Sequence, residues 1–509
     1  MKTFLLLADR DLDPEQPLPF GTDDLVQDLH LDTLYEAMSG GDDFLAEVVR
    51  RVVPVGLSDV EEIRYRQDVL ADCAAHPQVI SDLYTLTVDA IKGEKKSYFG
   101  FGFLHSSPDL VLHRSVEVLQ MFAGMLRRLR AIADTHGAEF QSAGFTRFFA
   151  MIAEELDDDY LTGLDEHVKQ LQFRDGVLIS ALLGRGGRGI DYVLRRAVNR
   201  PSWWQKLTAD VPETYTYRIP DRDEAGARAL GELRDRGVNL VANALAQSTE
   251  HILAFFTMLR TELAFYLGCL RLQQRLDRLH APLCRPEPQA AERDGIAASG
   301  LYDVCLALRA PQQQVVLNDL TAADTRLIVV TGANQGGKST LLRAIGLAQV
   351  MMQCGMPVGA TSLTAGIRSG IFTHFKREED AGMDSGKLDE EMARMAGIAD
   401  HLRGHALVLF NESFAATNER EGSEINRQII QALTERHVSV VTVTHLYDLA
   451  HQMQSASPEH AVFLRAERRP DGRRTFKVVA GEPLPTSYGA DLYHDIFGAD
   501  ERAKQPAAP

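Results

Sequence analysis

The spacing of apolar residues divides the chain into two parts. Through residues 1–310, apolar positions recur three and four apart, as in DDFLAEVVRRVVP and DVEEIRYRQDVLADCAA. Because such steps keep side chains on one face of a helix, this part is predicted to be mostly helical. The clearest seam predicts either a core-facing helix of a bundle or a long lever that joins two domains. It consists of Ile252, Phe256, Leu259, Leu263, Tyr266 and Leu270.

From about residue 311 the pattern changes to short apolar runs. RLIVV, HALVLF and VSVVTVT are rich in β-branched residues and alternate with helical patterns. This alternation is typical of parallel strands covered by helices. We therefore predict a mostly α-helical core and lever domain over residues 1–295 and an α/β domain over residues 296–509. The proline- and alanine-rich stretch 281–295 marks the predicted boundary.

Two segments interrupt the helical half. Residues 92–107, KGEKKSYFGFGFLHSS, are rich in glycine and aromatic residues and are predicted to form a loop. Residues 198–221 hold both tryptophans and several prolines, a composition that indicates an extended crossover. The chain shows no internal repeat of about 20–50 residues.

The composition, with 45% hydrophobic and 25% charged residues, is that of a globular protein. A net charge of −17 argues against broad coating of nucleic acid but leaves room for a local basic groove. The five cysteines form no CxxC pair, so we expect reduced, buried thiols and neither a disulfide framework nor a zinc site.

The amino-terminal apolar run is too short for a signal peptide. No run approaches the ~18 apolar residues of a membrane span. We therefore expect a cytoplasmic protein with no membrane partner.

One short motif, TGANQGGKST at 331–340, indicates nucleotide binding. A predicted strand precedes it and a helical pattern follows, which matches GxxxxGK[ST] in its strand–loop–helix setting. Glycines let successive backbone N–H groups point at phosphates, and the helix adds its positive end. Lys338 is predicted to reach the β- and γ-phosphates, and Ser339 to coordinate Mg²⁺. The predicted ATP-binding residues here are Gly332, Ala333, Asn334, Gln335, Gly336, Gly337, Lys338, Ser339 and Thr340.

Two further strand ends complete the predicted site. Asn411 and Glu412 follow HALVLF, where P-loop ATPases usually carry an Asp-Glu pair. Glu412 is predicted to orient the attacking water, whereas Asn411 offers Mg²⁺ an uncharged amide, which weakens metal binding. His445 ends the strand that starts at VSVV. Alone, such a histidine is more often structural, but beside the other two elements we predict that it senses the γ-phosphate.

These motifs resemble the MutS family of DNA mismatch-repair ATPases. The resemblance runs without a gap from VVLNDL through TGANQGGKST into the helix that follows. It continues in GIFTHFKREED, NESFAATNEREG, THLYDLA and TSYGADLYHDIFG. DDFLAEVVRRVVPVGLSDVEEIRYRQDVLADCAAHP and LRTELAFYLGCLRLQQRLDRL look like the family's helical core. Nearly the whole chain is covered, strongly from residue 311 and loosely before it.

The resemblance implies an ABC-type P-loop ATPase that uses ATP and Mg²⁺ and forms a homodimer with composite sites. It also implies a helical clamp around DNA, and a place in the bacterial cytosol or nucleoid. Asn318 matches the adenine-side residue, and Thr417 and Asn418 match the loop that crosses the dimer interface. Ser385 and Lys387 are candidates for the in-trans residue, because the DSGKLDEEM stretch is shorter than the family's signature.

Mismatch reading is not expected. In the family it uses an N-terminal domain with a Phe-x-Glu wedge, and this chain begins almost at the core. Candidate DNA contacts are basic clusters at 93–99, 125–132, 184–189 and 195–204, although any single cluster of this kind is more often a solvated surface.

Three hypotheses remain open. The first is an ATP-driven clamp on branched or non-standard DNA in repair or recombination. The second is a nucleotide-gated switch for a protein partner, such as a repair protein, without DNA. The third is a pseudo-ATPase that binds nucleotide and dimerises.

Overall fold

The computed structural model describes residues 1–99, 108–173, 176–195, 215–220, 222–377, 386–456, 460–469 and 474–484. The helices are α1 Thr22–Leu29, α2 Leu31–Ser39, α3 Asp43–Val52, α4 Val60–Ala75, α5 Pro77–Phe99, α6 Pro108–His136, α7 Ala143–Glu155, α8 Asp158–Leu171, α9 Glu224–Arg278, α10 Val304–Arg309, α11 Lys338–Gln353, α12 Lys387–His401, α13 Glu419–Glu435 and α14 Tyr447–Ser455. The strands are β1 Leu178–Leu183, β2 Gly189–Arg195, β3 Glu287–Gln289, β4 Gly295–Leu301, β5 Asn318–Ala323, β6 Leu327–Thr331, β7 Ser362–Gly366, β8 Ile371–Phe375, β9 Leu407–Asn411, β10 Ser439–Val443, β11 Ala461–Arg468 and β12 Arg474–Ala480.

The helices of the amino-terminal half follow the predicted apolar spacing. Aspartates cap three of them: Asp42 and Asp59 each accept from two first-turn N–H groups, of α3 and α4, and Asp157 accepts from one N–H group of α8. All six residues of the seam in α9 are buried, none more than 7% exposed. The prediction of a core-facing helix is therefore confirmed.

The loop predicted at 92–107 is wrong over residues 92–99, because α5 continues to Phe99. Gly93 lies where this helix meets α6: a Cβ added there would be 3.1 Å from Met121. Glu94 pairs with Arg114 of α6 at 3.0 Å. The glycine thus permits close helix packing. Residues 100–107, and the crossover predicted over 198–221 except for 215–220, lie outside the described residues.

The chain forms two compact units. The first unit comprises Met1–Thr3, Gln78–Gln141 and Phe145–Leu263, and includes the antiparallel β1–β2 hairpin. The second unit comprises Phe4–Pro77, Ser142–Gly144 and Ala264–Pro509. Residues 4–77, predicted within the helical domain, thus group with the carboxyl-terminal unit. The predicted domain boundary at residue 295 stays a prediction.

Two sheets form the α/β part of the second unit. The larger has the strand order β12-β11-β6-β10-β9-β8, and among its pairs only β12 with β11 is antiparallel. Leu327 pairs with Val440 and Leu407 with Ser439, which confirms the predicted parallel strands. The smaller sheet has the order β3-β7-β4-β5.

Helices cover both faces of the larger sheet. Val408 and Phe410 of β9 belong to a buried cluster with residues of α12, α13 and α14. Leu409 points the other way, toward α11, where a Cβ added to Gly346 would lie 2.6 Å from it. Because β6, β8, β9 and β10 are parallel, their carboxyl ends meet at one edge of the sheet.

Helix α9 contains an 18-residue window that is apolar enough, by length and composition, to cross a membrane. This corrects the expectation that no run approaches that length. Of that window, 61% is buried in the protein. A mostly buried core helix of a globular protein can have the same length and apolar composition as a membrane span.

Candidate functional site

The glycine loop, residues 332–337, connects β6 to α11. Gly332 and Gly337 have φ values of 108° and 91°, in the left-handed region that favours glycine. A Cβ added to Gly337 would lie 2.8 Å from the carbonyl oxygen of Phe476. Gly337 is also the N-cap of α11 and has no side chain with which to cap it. The first turn of the helix therefore presents its N–H groups to an anion.

A cavity of about 420 Å³ lies beside this loop, a size typical of small-molecule sites. Its lining residues are Asn334, Gln335, Gly336, Gly337, Lys338, Ser339, Thr340, Glu412, His445 and Phe476. The structure thus brings Glu412 and His445, predicted from separate strand ends, to the wall that holds the predicted loop.

Lys338 is nearly buried at the base of the cavity. Its Nζ donates to the carbonyl oxygens of Gly332 at 2.8 Å and Ala333 at 3.0 Å. Burial lowers the pKa of its ammonium, and the charge of Glu412 partly opposes that shift. An ammonium whose hydrogen-bond acceptors are neutral carbonyls attracts an anion strongly, because its charge is poorly compensated.

Ser339 and Asn411 place two oxygen atoms together. The Ser339 hydroxyl donates to Oδ1 of Asn411 at 2.9 Å. Asn411 ends β9, so the contact joins the first turn of α11 to the end of β9. Hydroxyl and amide oxygens suit a hard cation such as Mg²⁺, but neither supplies negative charge.

Glu412 and His445 also line this cavity. Oε2 of Glu412 and Nδ1 of His445 are 3.9 Å apart, and each side chain is about one third exposed. The backbone N–H of Glu412 donates to the carbonyl oxygen of Val443 at 2.9 Å. Glu412 has a φ of 55°, a value uncommon for a residue with a Cβ.

Asn318 is not among the residues that line the cavity. Its Oδ1 accepts from the backbone N–H of Val478 at 2.8 Å. The amide therefore holds β12, the strand that carries Phe476. Its predicted contact with adenine stays a prediction.

The predicted interface residues lie at helix starts. Asn418 caps α13 by accepting from the N–H of Glu421 at 3.0 Å. Thr417 donates to the carboxylate of the same glutamate at 2.6 Å. Lys387 begins α12, and Ser385 lies outside the described residues. Their in-trans roles stay predictions.

Two residues near the cavity were not predicted. Phe476 of β12 lines the cavity, is half-exposed and has a φ of 59°. Arg474 donates to Oε1 of Gln335 at 2.8 Å. No local pattern marks either residue, because the β11–β12 hairpin follows the loop by more than a hundred residues and meets it only through the sheet.

The three arginines of the basic cluster at 125–132 are paired with carboxylates. Arg127 pairs with Asp165 at 2.5 Å, Arg128 with Asp89 at 3.5 Å and Arg130 with Asp134 at 2.8 Å. Since each arginine already faces a carboxylate, this cluster is poorly suited to bind phosphate. Most of the cluster at 195–204 lies outside the described residues.

Comparison with known proteins matches two regions of the chain to family models. Residues 58–279 match the model described as the MutS2 N-terminal domain, and residues 328–496 match MutS domain V. The second match contains the glycine loop, Glu412, His445 and Phe476.

Curated relatives match most of the chain. Proteins named endonuclease MutS2 from Streptococcus equi subsp. zooepidemicus and Streptococcus equi subsp. equi are 24% and 30% identical over 451 residues. These alignments cover 84% of this chain and 53% of each relative. The chain thus spans about half the length of these relatives. From the two family models and these relatives together, the chain belongs to the MutS family.

Proposed function

We propose that this chain is a MutS-like ATPase that binds DNA and acts in repair or recombination without reading mismatched bases. The observation that carries the ATPase proposal is the buried Lys338 ammonium, held by neutral carbonyls in the same cavity as Glu412. Family membership supports the association with DNA.

In the proposed site the triphosphate lies along the glycine loop. Backbone N–H groups of the loop and of the first turn of α11 hold its oxygens, and Lys338 turns from the loop carbonyls to the β- and γ-phosphates. Phe476 offers a half-exposed aromatic face to the nucleoside. Mg²⁺, when bound, neutralises phosphate charge and fixes the leaving group, and Ser339 and Asn411 are the residues that would hold it.

Hydrolysis transfers the γ-phosphoryl group to water. Glu412 orients the water and accepts its proton, the bond between the γ-phosphorus and the bridging oxygen breaks, and ADP and phosphate leave. His445 lines the same cavity 3.9 Å from Glu412, and we assign it to sense the γ-phosphate and respond to its loss. The Asn411 amide adds no charge to the metal site, so we expect Mg²⁺ to bind weakly and its binding to limit turnover.

The proposal includes a homodimer in which a second copy completes each site. The starts of α12 and α13, with Lys387, Thr417 and Asn418, are the surface that we assign to this contact. A cytoplasmic location and a sequence-independent grip on DNA belong to the same proposal. Endonuclease activity, which the relatives' name states for them, is not part of it.

The test compares the ATPase rate of the wild type with that of Glu412→Gln, each with and without a panel of duplex, forked and four-way DNA. We expect hydrolysis in the wild type, a loss of at least a hundredfold in Glu412→Gln, and salt-sensitive retention of branched DNA. Equal, near-zero rates would favour a nucleotide-binding pseudo-ATPase. Hydrolysis without retention of any DNA at low salt would favour a switch for a protein partner.

A further inference from the structure

A cluster of buried polar side chains lies behind the strand-end turn, which we define as Glu412–Phe414, directly after β9. The cluster consists of His374 on β8, Ser413 in the turn, Glu391 on α12 and Asn426 on α13. All four are buried, and His374 has no exposed surface. None lines the 420 Å³ cavity, so the proposed hydrolysis does not use them directly.

The strand-end turn has a strained backbone. Glu412 and Phe414 have φ values of 55° and 57°, in the left-handed region that side chains with a Cβ rarely adopt. Such conformations persist where surrounding contacts hold them in place. The direction of the Glu412 carboxylate therefore depends on whatever holds this turn.

His374 holds the turn through its imidazole. Its Nε2 lies 3.0 Å from the backbone carbonyl oxygen of Glu391, which can only accept, so we assign the ring proton to Nε2. Burial lowers the pKa of this imidazole to about 4, which keeps the ring neutral. Its Nδ1 then accepts from the Ser413 hydroxyl at 2.8 Å. The same hydroxyl faces the carbonyl oxygen of His374 at 2.5 Å, so its proton is shared between two acceptors.

The other atoms of the turn are held as well. Nδ2 of Asn426 donates to the carbonyl oxygen of Ser413 at 2.7 Å. The carboxylate of Glu391 accepts from the backbone N–H of Phe414. The Phe414 ring stacks on the His374 ring, with centroids 5.0 Å apart and planes at 18°. Two contacts thus join the turn to α12: the direct one between Glu391 and Phe414, and the one that passes through the His374 imidazole.

We propose that His374 and Ser413 are positioning residues: their hydrogen bond holds the strand-end turn so that Glu412 faces the cavity, and the bond from His374 to Glu391 couples that turn to α12. The inference rests on the proposed ATP hydrolysis. It adds a route by which a displacement of α12, whose first residue is Lys387, changes the aim of Glu412 without altering the glycine loop.

The test measures kcat, KM and the dissociation constant of a fluorescent ATP analogue in the full chain. Ser413→Ala is expected to lower kcat at least tenfold, while the dissociation constant stays within twofold of the wild type, because Lys338 and the glycine loop are untouched. The matched control is Ser423→Ala, which removes a buried serine hydroxyl on α13 that has no hydrogen-bond partner among the described residues. Its kcat should equal that of the wild type.

His374→Gln provides a second variant, because it can keep the bond to Glu391 while losing the acceptor for Ser413. Both substitutions break the same hydrogen bond, so their effects on kcat should not add. The kcat of the double variant should therefore lie within twofold of that of the slower single variant. A kcat within twofold of the wild type, or losses that multiply, would overturn the inference. Where Ser413→Ala fails to fold by circular dichroism, His374→Gln decides by the same kcat and binding criteria. If the wild type hydrolyses ATP no faster than Glu412→Gln, the proposed function is overturned together with the inference. If only the Ser413 and His374 variants behave like the wild type, the inference alone is overturned.

Discussion

The glycine loop and the strand-end turn face one cavity but reach left-handed backbone conformations by different means. In the loop these conformations fall at Gly332 and Gly337, which have no Cβ to clash, as well as at Gln335. In the turn they fall at Glu412 and Phe414. The shape of the loop is mostly encoded by its own residues, whereas that of the turn is imposed by contacts from β8, α12 and α13.

This difference separates binding from hydrolysis. Nucleotide binding depends on the loop and should tolerate changes elsewhere in the sheet. Hydrolysis depends on Glu412, whose turn is held by side chains outside the cavity, so it should respond to substitutions that never contact nucleotide. The following predictions test that separation, from the largest expected effect to the smallest.

Replacing Lys338 by alanine should cause the largest loss. The change removes the buried cation of the cavity, and we expect kcat/KM to fall about a thousandfold, roughly 4 kcal/mol. The affinity for a fluorescent ATP analogue, measured by stopped flow, should fall as well and account for much of the loss in kcat/KM. Lys169→Ala, which removes an exposed lysine from α8, controls for loss of charge alone. Unchanged nucleotide affinity in Lys338→Ala would place the phosphates elsewhere.

The next largest effect is the contribution of His374 to the pH dependence of the free energy of unfolding. Burial lowers the pKa of its imidazole from 6.5 to about 4. Between these pH values the unfolded chain binds a proton that the folded chain does not, so the free energy of unfolding falls as the pH falls through this window. The expected loss from pH 7 to pH 4 is about 3 kcal/mol, complete near the lower pKa.

Urea denaturation of the wild type and of His374→Gln at pH 7 and pH 4.5 measures this effect, because carboxylates common to both proteins cancel in the comparison. Arg394 and Asp24 are the charged groups that act on the imidazole, and the backbone carbonyl of Glu391 is its hydrogen-bond partner; none of them changes in the variant. His451→Gln, on the exposed side of α14, should keep the wild-type pH dependence. An equal pH dependence in His374→Gln would show that the imidazole is protonated in the folded state.

The same contrast explains which parts of the site could be predicted from sequence. The glycine loop, Lys338 and Ser339 lie within nine consecutive residues, so their spacing alone indicated a phosphate site. Glu412 and His445 were predicted from their places after apolar runs, because parallel strands bring such positions together. Phe476 and His374 gave no signal, since each reaches the site through pairing of strands that are far apart in the sequence.

The fold shows a similar limit. Three strands of the larger sheet, β6, β9 and β10, followed from short β-branched or apolar runs, and the α9 seam followed from helical spacing. The loop predicted from the glycine- and aromatic-rich composition of 92–107 is wrong over residues 92–99, where Gly93 lies within α5 and permits contact with Met121 of α6. A glycine in a helical pattern either ends the helix or lets a second helix pack closely against it. The local sequence does not show which, because the second helix comes from another part of the chain.

Gly337→Ala probes the loop side of the comparison. The added Cβ would lie 2.8 Å from the backbone carbonyl oxygen of Phe476, which cannot move aside cheaply, and the φ of 91° is strained for alanine. We expect nucleotide affinity to fall at least about tenfold, roughly 1.4 kcal/mol. Gly41→Ala is the matched control, because Gly41 has a φ of 88° but open space around its Cβ position. It should lose about 1 kcal/mol of stability and keep full affinity.

Asn411→Asp tests the point where loop and strand end meet, and it has the smallest expected effect. Asn411 accepts a hydrogen bond from Ser339, and a carboxylate at that position would accept the same bond while adding a negative charge beside the hydroxyl. The Mg²⁺ concentration for half-maximal hydrolysis should therefore fall about fivefold, roughly 1 kcal/mol.

The control for charge alone is Asn334→Asp, which places the same charge on the cavity wall within the glycine loop. There the carboxylate should repel the nucleotide and raise KM without lowering the Mg²⁺ requirement. If Asn411→Asp left the Mg²⁺ requirement unchanged, the pair formed by Ser339 and Asn411 would be a structural hydrogen bond between the two regions. The metal would then have to be held by other groups, and the uncharged amide would carry no consequence for turnover.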